Sequence, residues 1–278
     1  QADGGRRLEY NPRVIDLVRT IPRGTIYDRN GLPLASGDGA AITAARAKYE
    51  QVGVAVGTAC SDPDQRCYPL GARAFHVLGD VRSRVNWTAS NTSFVEKDAN
   101  DRLQGFDDHA TTFQTTNAAG QPMFTIRRHY RDLVPALRHR YDLEHPATVA
   151  LPASARDVRL TLDAGLEGRL SSIAEEYARS TSDIEERATS DPDTGALLAS
   201  VSYPWPAMEA VSANEDDERD VLLDRARYGA YPPGSTFKLV VALSALREGG
   251  GAANTMYTCT GLSHGRVGGV TPGCSPPV

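Results

Sequence analysis

Residues 231–238 read Tyr-Pro-Pro-Gly-Ser-Thr-Phe-Lys, and a largely apolar stretch follows them. The two prolines and the glycine do not easily continue a helix, whereas Ser235 can cap one. The next residues predict a buried helix that stops at Gly249, with an apolar side formed by Phe237, Val240, Val241, Leu243 and Leu246. Such a helix places Ser235 and Lys238 on the same face, one turn apart.

A serine and a lysine at this spacing suit nucleophilic catalysis. Serine is a weak nucleophile at neutral pH, so it needs a base beside it. A lysine serves as that base only in its neutral form, which burial and cationic neighbours favour. Backbone N–H groups at the start of the helix would stabilise negative charge that develops near Ser235. The alternative for Ser235 and Lys238 is a capped core helix whose lysine reaches solvent.

The residues upstream of this segment show strand and helix patterns. Residues 156–163 read as a half-buried strand, because apolar and polar residues alternate there. An amphipathic helix is predicted over residues 164–179, with a core-facing side formed by Leu166, Leu170, Ile173 and Tyr177. Residues 191–195 predict a hairpin turn, and residues 196–202 a largely apolar strand after it.

The N-terminal half opens with a second hairpin pattern. Residues 25–27 and 32–35 read as two short strands, and Asp-Arg-Asn-Gly at 28–31 reads as the tight turn between them, with Gly31 free to take a positive φ. The chain from about residue 51 to 155 is loop-rich. Within it, residues 74–79 predict a short apolar helix ended by glycine, and residues 94–103 predict an amphipathic helix.

Composition places the chain among globular proteins. It has 278 residues, of which 40% are hydrophobic and 23% are charged, so it is long enough for two domains. The net charge of -5 does not predict a nucleic-acid partner. No stretch approaches the roughly 18 consecutive apolar residues that a membrane helix needs. The sequence starts with Gln1, so we expect either a cytosolic protein or one whose N-terminal targeting or anchor segment is absent.

The four cysteines form two local pairs, Cys60 with Cys67 and Cys259 with Cys274. Short closed loops between them fit two disulfides in an oxidising compartment. A zinc site would need tighter Cys-x-x-Cys spacings, which the chain lacks. Buried free thiols are the remaining alternative.

The string at 231–238 is similar, almost residue for residue, to the active-site segment of penicillin-binding proteins, whose nucleophile motif is Ser-x-x-Lys. Other segments agree in order with the class B members of this family. Residues 23–31 with 34–35, residues 68–79 and residues 103–108 resemble three motifs of the class B pedestal domain. Residues 158–163 and 191–204 resemble the entry and the early hairpin of the transpeptidase domain.

This resemblance implies an α+β fold in two parts. Residues 1–155 would form a loop-rich, β-containing pedestal domain that is not catalytic. Residues 156–278 would form the N-terminal portion of a transpeptidase domain of the penicillin-binding and serine β-lactamase type, an antiparallel sheet with helices. The resemblance also places the protein outside the cytoplasm, on a membrane anchor that this chain does not contain.

The resemblance further implies a peptidoglycan D,D-transpeptidase. Ser235 would attack the D-Ala–D-Ala bond of a stem peptide and form an acyl-enzyme, with Lys238 as the base, and β-lactams would acylate the same serine. No cofactor or metal is implied. The expected partners are stem peptides, β-lactams and an integral-membrane glycan polymerase. The alternative is a non-catalytic scaffold or regulatory partner of that polymerase, and a third reading is a β-lactamase or carboxypeptidase, against which the long N-terminal region argues.

The chain departs from the family pattern in two ways. No Ser-x-Asn and no Lys-Thr/Ser-Gly follows Ser235, and the Ser-Ala-Asn at 212–214 precedes it. We therefore expect the transpeptidase domain to be incomplete. Residues 186–191 also lack the apolar run that forms a strand in the family, and a central strand without apolar residues is physically implausible.

Overall fold

The computed structural model describes residues 11–56, 66–82, 86–87, 93–120, 122–181, 186–207 and 220–248, without the side chains at 124, 152, 181 and 186–189. The chain divides into two compact units, Gln1–Gly229 and Ala230–Val278. Helices and strands are mixed along it, as the α+β prediction requires.

In the first unit the helices are α1 (Pro12–Thr20), α2 (Gly39–Gln51), α3 (Phe75–Leu78), α4 (Val95–Asp98), α5 (Asn100–Gln104), α6 (Val134–Arg138), α7 (Pro146–Ala153), α8 (Ala164–Thr181) and α9 (Arg225–Tyr228). Its strands are β1 (Ile26–Tyr27), β2 (Pro33–Ala35), β3 (Thr111–Thr116), β4 (Pro122–Arg127), β5 (Val158–Arg159), β6 (Glu186–Ser190) and β7 (Leu197–Ser202). The second unit contains α10 (Phe237–Glu248).

The predicted N-terminal hairpin is confirmed. Strand β1 pairs antiparallel with β2, and Gly31 takes a φ of 81° in the turn between them. Strand β5 pairs parallel with β1 on its other side. The predicted strand at 156–163 is shorter than expected, because the Asp163 N–H already donates to Leu198 O at 2.8 Å and the chain has crossed to β7.

An apolar core holds this sheet to the helices around it. The buried residues come from the β1–β2 hairpin, from α2, α3 and α5, and from the start of α8. They include Ile26, Leu32, Leu34, Tyr49, Leu70, Val77, Leu78, Leu103 and Leu162. The two predicted short helices contribute residues to this core. Residues 71–78 form a 3₁₀ turn followed by α3, which ends at Gly79, and residues 95–104 are split at Ala99 into α4 and α5.

The prediction for the buried side of α8 is wrong for Ile173 and Tyr177, whereas the other two predicted residues, Leu166 and Leu170, are half-buried. Ile173 and Tyr177 are 48% and 44% exposed, whereas Ala164, Glu167, Ser171, Ala174 and Ala178 are buried. Helix α8 packs on β7 and approaches residues 52–54 closely, since a Cβ at Gly165 would lie 3.0 Å from the Val52 side chain. Close packing of this kind favours small residues over leucine and tyrosine.

The second predicted hairpin is confirmed, but the strand before its turn needs a correction. Residues 186–190 do form strand β6, which pairs antiparallel with β7 from Glu186↔Ser202 to Ser190↔Leu197. Within the described residues β6 has β7 as its neighbour and is an edge strand. Polar residues are tolerated at an edge, so the absence of an apolar run does not prevent the strand.

Sequence reasoning did not identify the hairpin of β3 and β4. Its two six-residue strands pair in register from Thr111↔Arg127 to Thr116↔Pro122. All six residues of β3 are exposed. The Arg127 guanidinium lies 4.5 Å from the centre of the Phe113 ring and covers part of that apolar surface.

Two further predictions concern membrane-spanning helices and disulfide bonds. In the part of the chain that the structure describes, no helix is both long and apolar enough to cross a membrane. Cys67 is disulfide-bonded. Cys60, Cys259 and Cys274 lie outside the described residues, so the pairings Cys60–Cys67 and Cys259–Cys274 stay predictions.

Candidate active site

Ser235 lies in a 3₁₀ turn, Gly234–Thr236, that leads directly into α10. Gly234 has a φ of 50°, a conformation that glycine adopts without strain. The Thr236 N–H donates to Pro233 O at 3.2 Å, and the Thr236 hydroxyl donates to the same carbonyl. The helix thus begins at Phe237, and Ser235 stands in the turn before it rather than at the predicted cap.

Lys238 occupies the first turn of α10, three residues after Ser235. The predicted one-turn spacing is therefore present in the backbone. Both side chains are exposed. Among the hydrogen bonds of the described residues, none joins the Ser235 hydroxyl to the Lys238 amine, so their pairing stays a prediction.

The expected burial of α10 is not observed. Phe237, Leu239 and Leu243 are 51%, 71% and 62% exposed, and no residue of the helix is buried. Within the described part of the second unit, the helix is accompanied by the 3₁₀ turn alone, which is too small to cover an apolar face. The burial that was expected to favour a neutral Lys238 is consequently missing here.

The segment that precedes the second unit is held firmly in the first. The Ser202 hydroxyl donates to Leu223 O at 3.0 Å and accepts a hydrogen bond from the Arg225 N–H at 2.9 Å. The Arg227 guanidinium donates to Ser93 O at 3.0 Å. This segment therefore contacts both β7 and the region that the sequence assigns to the pedestal.

Two buried carboxyl groups lie near this segment, and sequence reasoning missed both. Burial is the main cause that raises the pKa of Glu167 to about 8. A hydrogen bond from the Ser200 N–H at 2.8 Å opposes this rise, and the negative charge of Asp224 adds to it. Burial also raises the pKa of Asp224, while the Arg227 guanidinium, 3.3 Å away, opposes that rise. The available sequence signal was that Glu167 shares one helix face with small residues, among them Ala164, Ser171 and Ala174.

A metal site finds no support in the described ranges. No group of three or more histidine, cysteine, aspartate or glutamate side chains there could hold a metal ion. The Ser-Ala-Asn at 212–214 lies outside the described residues.

Comparison with known proteins finds a family match for the C-terminal part of the chain. Residues 189–271, which include Ser235 and Lys238, match the family model "Penicillin binding protein transpeptidase domain". This part of the chain matches the transpeptidase domain of penicillin-binding proteins, and the chain as a whole is similar to class B members of that family.

Among its relatives are two named Peptidoglycan D,D-transpeptidase MrdA. The protein from Escherichia coli strain K12 is 29% identical over 208 residues, which are 69% of this chain and 30% of that protein. The protein from Acinetobacter baumannii is 29% identical over 220 residues, 73% of this chain and 28% of that protein. The chain thus spans less than a third of the length of these relatives.

A solved structure, a penicillin-binding protein (PBP2) from Helicobacter pylori, is 20% identical to this chain. It aligns with 91% of this chain and with 57% of its own, at a TM-score of 0.47.

Proposed function

We propose that this chain carries the nucleophile of a peptidoglycan D,D-transpeptidase, with Ser235 as nucleophile and Lys238 as base. The observation that supports this most is the one-turn spacing of Ser235 and Lys238 at the start of α10, inside the residues that match the transpeptidase family. The relatives carry this activity in their names.

The proposed reaction has two acyl transfers. The Ser235 oxygen bonds to the carbonyl carbon of the penultimate D-Ala while its proton passes to the Lys238 amine. The bond to the terminal D-Ala then breaks, and its amine leaves with that proton. The amine of a second stem peptide then attacks the ester carbonyl and loses a proton to Lys238, which passes it to the Ser235 oxygen as the ester bond breaks and the cross-link forms. A β-lactam would form the same ester when its ring opens.

The proposed setting is extracytoplasmic, with a membrane-embedded glycan polymerase as partner. The disulfide at Cys67 supports an oxidising compartment, since cytosolic thiols are kept reduced. We further propose that residues 1–155 act as the pedestal and residues 156–278 as the start of the transpeptidase domain. The parallel pairing of β5 with β1 would then join the two domains at their boundary.

The test is labelling of the complete gene product with a fluorescent penicillin. The wild-type protein should be labelled, Ser235→Ala should not, and Lys238→Met should be labelled about 10²–10⁴-fold more slowly. Ser244→Ala removes another hydroxyl from the same helix and should leave the rate unchanged. A wild-type protein that is folded but never labelled would contradict the enzymatic proposal and favour the scaffold.

A further inference from the structure

The segment from residue 220 to 229 is the last part of the first unit before the chain continues to Ser235. Its backbone carbonyls at Val221 and Leu223 both accept hydrogen bonds from side chains of other elements. Val221 itself is 1% exposed. A buried carbonyl at that position needs a donor, because an unsatisfied one costs free energy.

His76 of α3 supplies that donor. Its imidazole Nε2 lies 2.8 Å from Val221 O, across 145 residues of sequence. A carbonyl oxygen only accepts, so Nε2 must carry the proton. The side chain is 1% exposed, and its ring packs edge-on against Phe75 with the ring centres 5.7 Å apart. The imidazole therefore links α3 directly to the 220–229 segment.

The position of this contact gives it a consequence beyond stability. His76 lies in the region that the sequence assigns to the pedestal, whereas Val221 lies fourteen residues before the proposed nucleophile. Ser202 fixes the same segment on the side of β7, and Arg227 ties it to Ser93. The His76 contact is thus a direct polar link from α3 to the backbone that leads into the active-site turn.

We infer that His76 is a positioning residue for the transpeptidase site. By holding Val221 O it fixes the start of the covalent path to Ser235 and so sets the rate at which Ser235 is acylated. This inference rests on the proposed function. It assigns His76 no contact with substrate.

The experiment compares three variants of the complete gene product. His76→Gln keeps an N–H donor at about the reach of Nε2, whereas His76→Leu keeps the volume and loses the donor. His76→Asn keeps a donor that is one bond too short to reach Val221 O. Acylation by a fluorescent penicillin is measured per folded molecule, with folding checked by urea unfolding, and hydrogen exchange is measured on peptides covering residues 221–229.

His76→Leu should be acylated at least tenfold more slowly than the wild-type protein and should exchange faster at 221–229. His76→Gln should restore the acylation rate to within about threefold. His76→Asn should also be acylated more slowly than the wild-type protein. It replaces His76→Leu in the comparison if the leucine variant does not fold.

Acylation of folded His76→Leu or His76→Asn at the wild-type rate would overturn the inference. Acylation of His76→Gln that is as slow as that of His76→Leu or His76→Asn would also overturn it, because the slowing would then come from altered packing and not from loss of the hydrogen bond. Absence of label in the wild-type protein, or label that survives Ser235→Ala, would instead refute the proposed function. The two failures are therefore distinguishable.

Discussion

The carboxylate of Asp28 accepts a hydrogen bond from the N–H of Ala164 at 3.2 Å, across 136 residues of sequence. Ala164 is the first residue of α8, whose first N–H groups have no partner within the helix. The other oxygen of Asp28 accepts from the N–H groups of Asn30 and Leu32 at 2.8 and 2.7 Å. One buried side chain thus closes the first hairpin and caps the longest described helix.

Replacement of Asp28 by asparagine should destabilise the protein. The amide oxygen can keep the turn contacts, but the amide N–H₂ would then face the N–H of Ala164, and we expect a loss of about 2 kcal/mol in the free energy of unfolding. Urea unfolding measures this. Asp38→Asn is the control, since Asp38 caps α2 at an exposed position where asparagine serves equally well. Equal effects of the two substitutions would contradict the role given to Asp28.

Substitution of Glu96 should strongly destabilise the folded protein. Its carboxylate is fully buried and contacts the guanidinium groups of Arg23 and Arg66, with Arg23 Nε at 2.9 Å. Glu96→Gln leaves two guanidinium groups without their counter-charge in the interior, and we expect a loss of about 3–5 kcal/mol.

The matched control is Glu175→Gln, which breaks ion pairs with Arg73 and Arg179 at the surface of α8. Solvent and salt screen such pairs, so thermal unfolding should change little. A melting temperature for Glu96→Gln that stays close to that of the control would show that the buried pairs do not stabilise the fold.

Glu167 should make stability fall as pH rises. Its pKa is raised from 4.5 to about 8 in the folded protein. Between these two pH values the unfolded chain releases the proton and the folded protein keeps it, so the free energy of unfolding decreases, by at most about 1.4 kcal/mol per pH unit.

Glu167→Gln should remove this dependence, because a glutamine oxygen still accepts from Ser200 and carries no proton to lose. Urea unfolding should therefore show that the stability of the variant relative to the wild-type protein is greater at pH 8 than at pH 5. Glu176→Gln, exposed on the same helix, is the control. Parallel pH profiles for wild-type and Glu167→Gln proteins would refute the buried, neutral state of Glu167.

Local turn chemistry made the hairpins predictable from sequence. The Asp28–Gly31 turn and the glycine ends of α3 and α5 depend on residues a few positions apart, and all are present. The buried side of α8 could not be predicted in this way. Burial of Glu167 depends on the Ser200 N–H, 33 residues further on, and a hydrophobicity pattern carries no information about that partner.

Some features of the candidate site could likewise be predicted from the sequence, and others could not. The one-turn spacing of Ser235 and Lys238 follows from helix geometry and is present. The environment of Lys238 depends on which residues cover α10. The described residues of the second unit do not bury any part of this helix. His76 escaped notice as a polar contact because its acceptor, Val221 O, belongs to the backbone of a distant segment.

The role of Ser235 as nucleophile is tested most directly by locating the acylated residue. After reaction of the complete gene product with a penicillin, trypsin should release the peptide Tyr228–Lys238, which contains Ser235. If Ser235 is the nucleophile, this peptide gains the mass of one intact penicillin, because ring opening expels no leaving group, and Ser235→Ala abolishes the gain. An unmodified peptide from fully acylated protein, or a gain that persists in Ser235→Ala, would contradict that role.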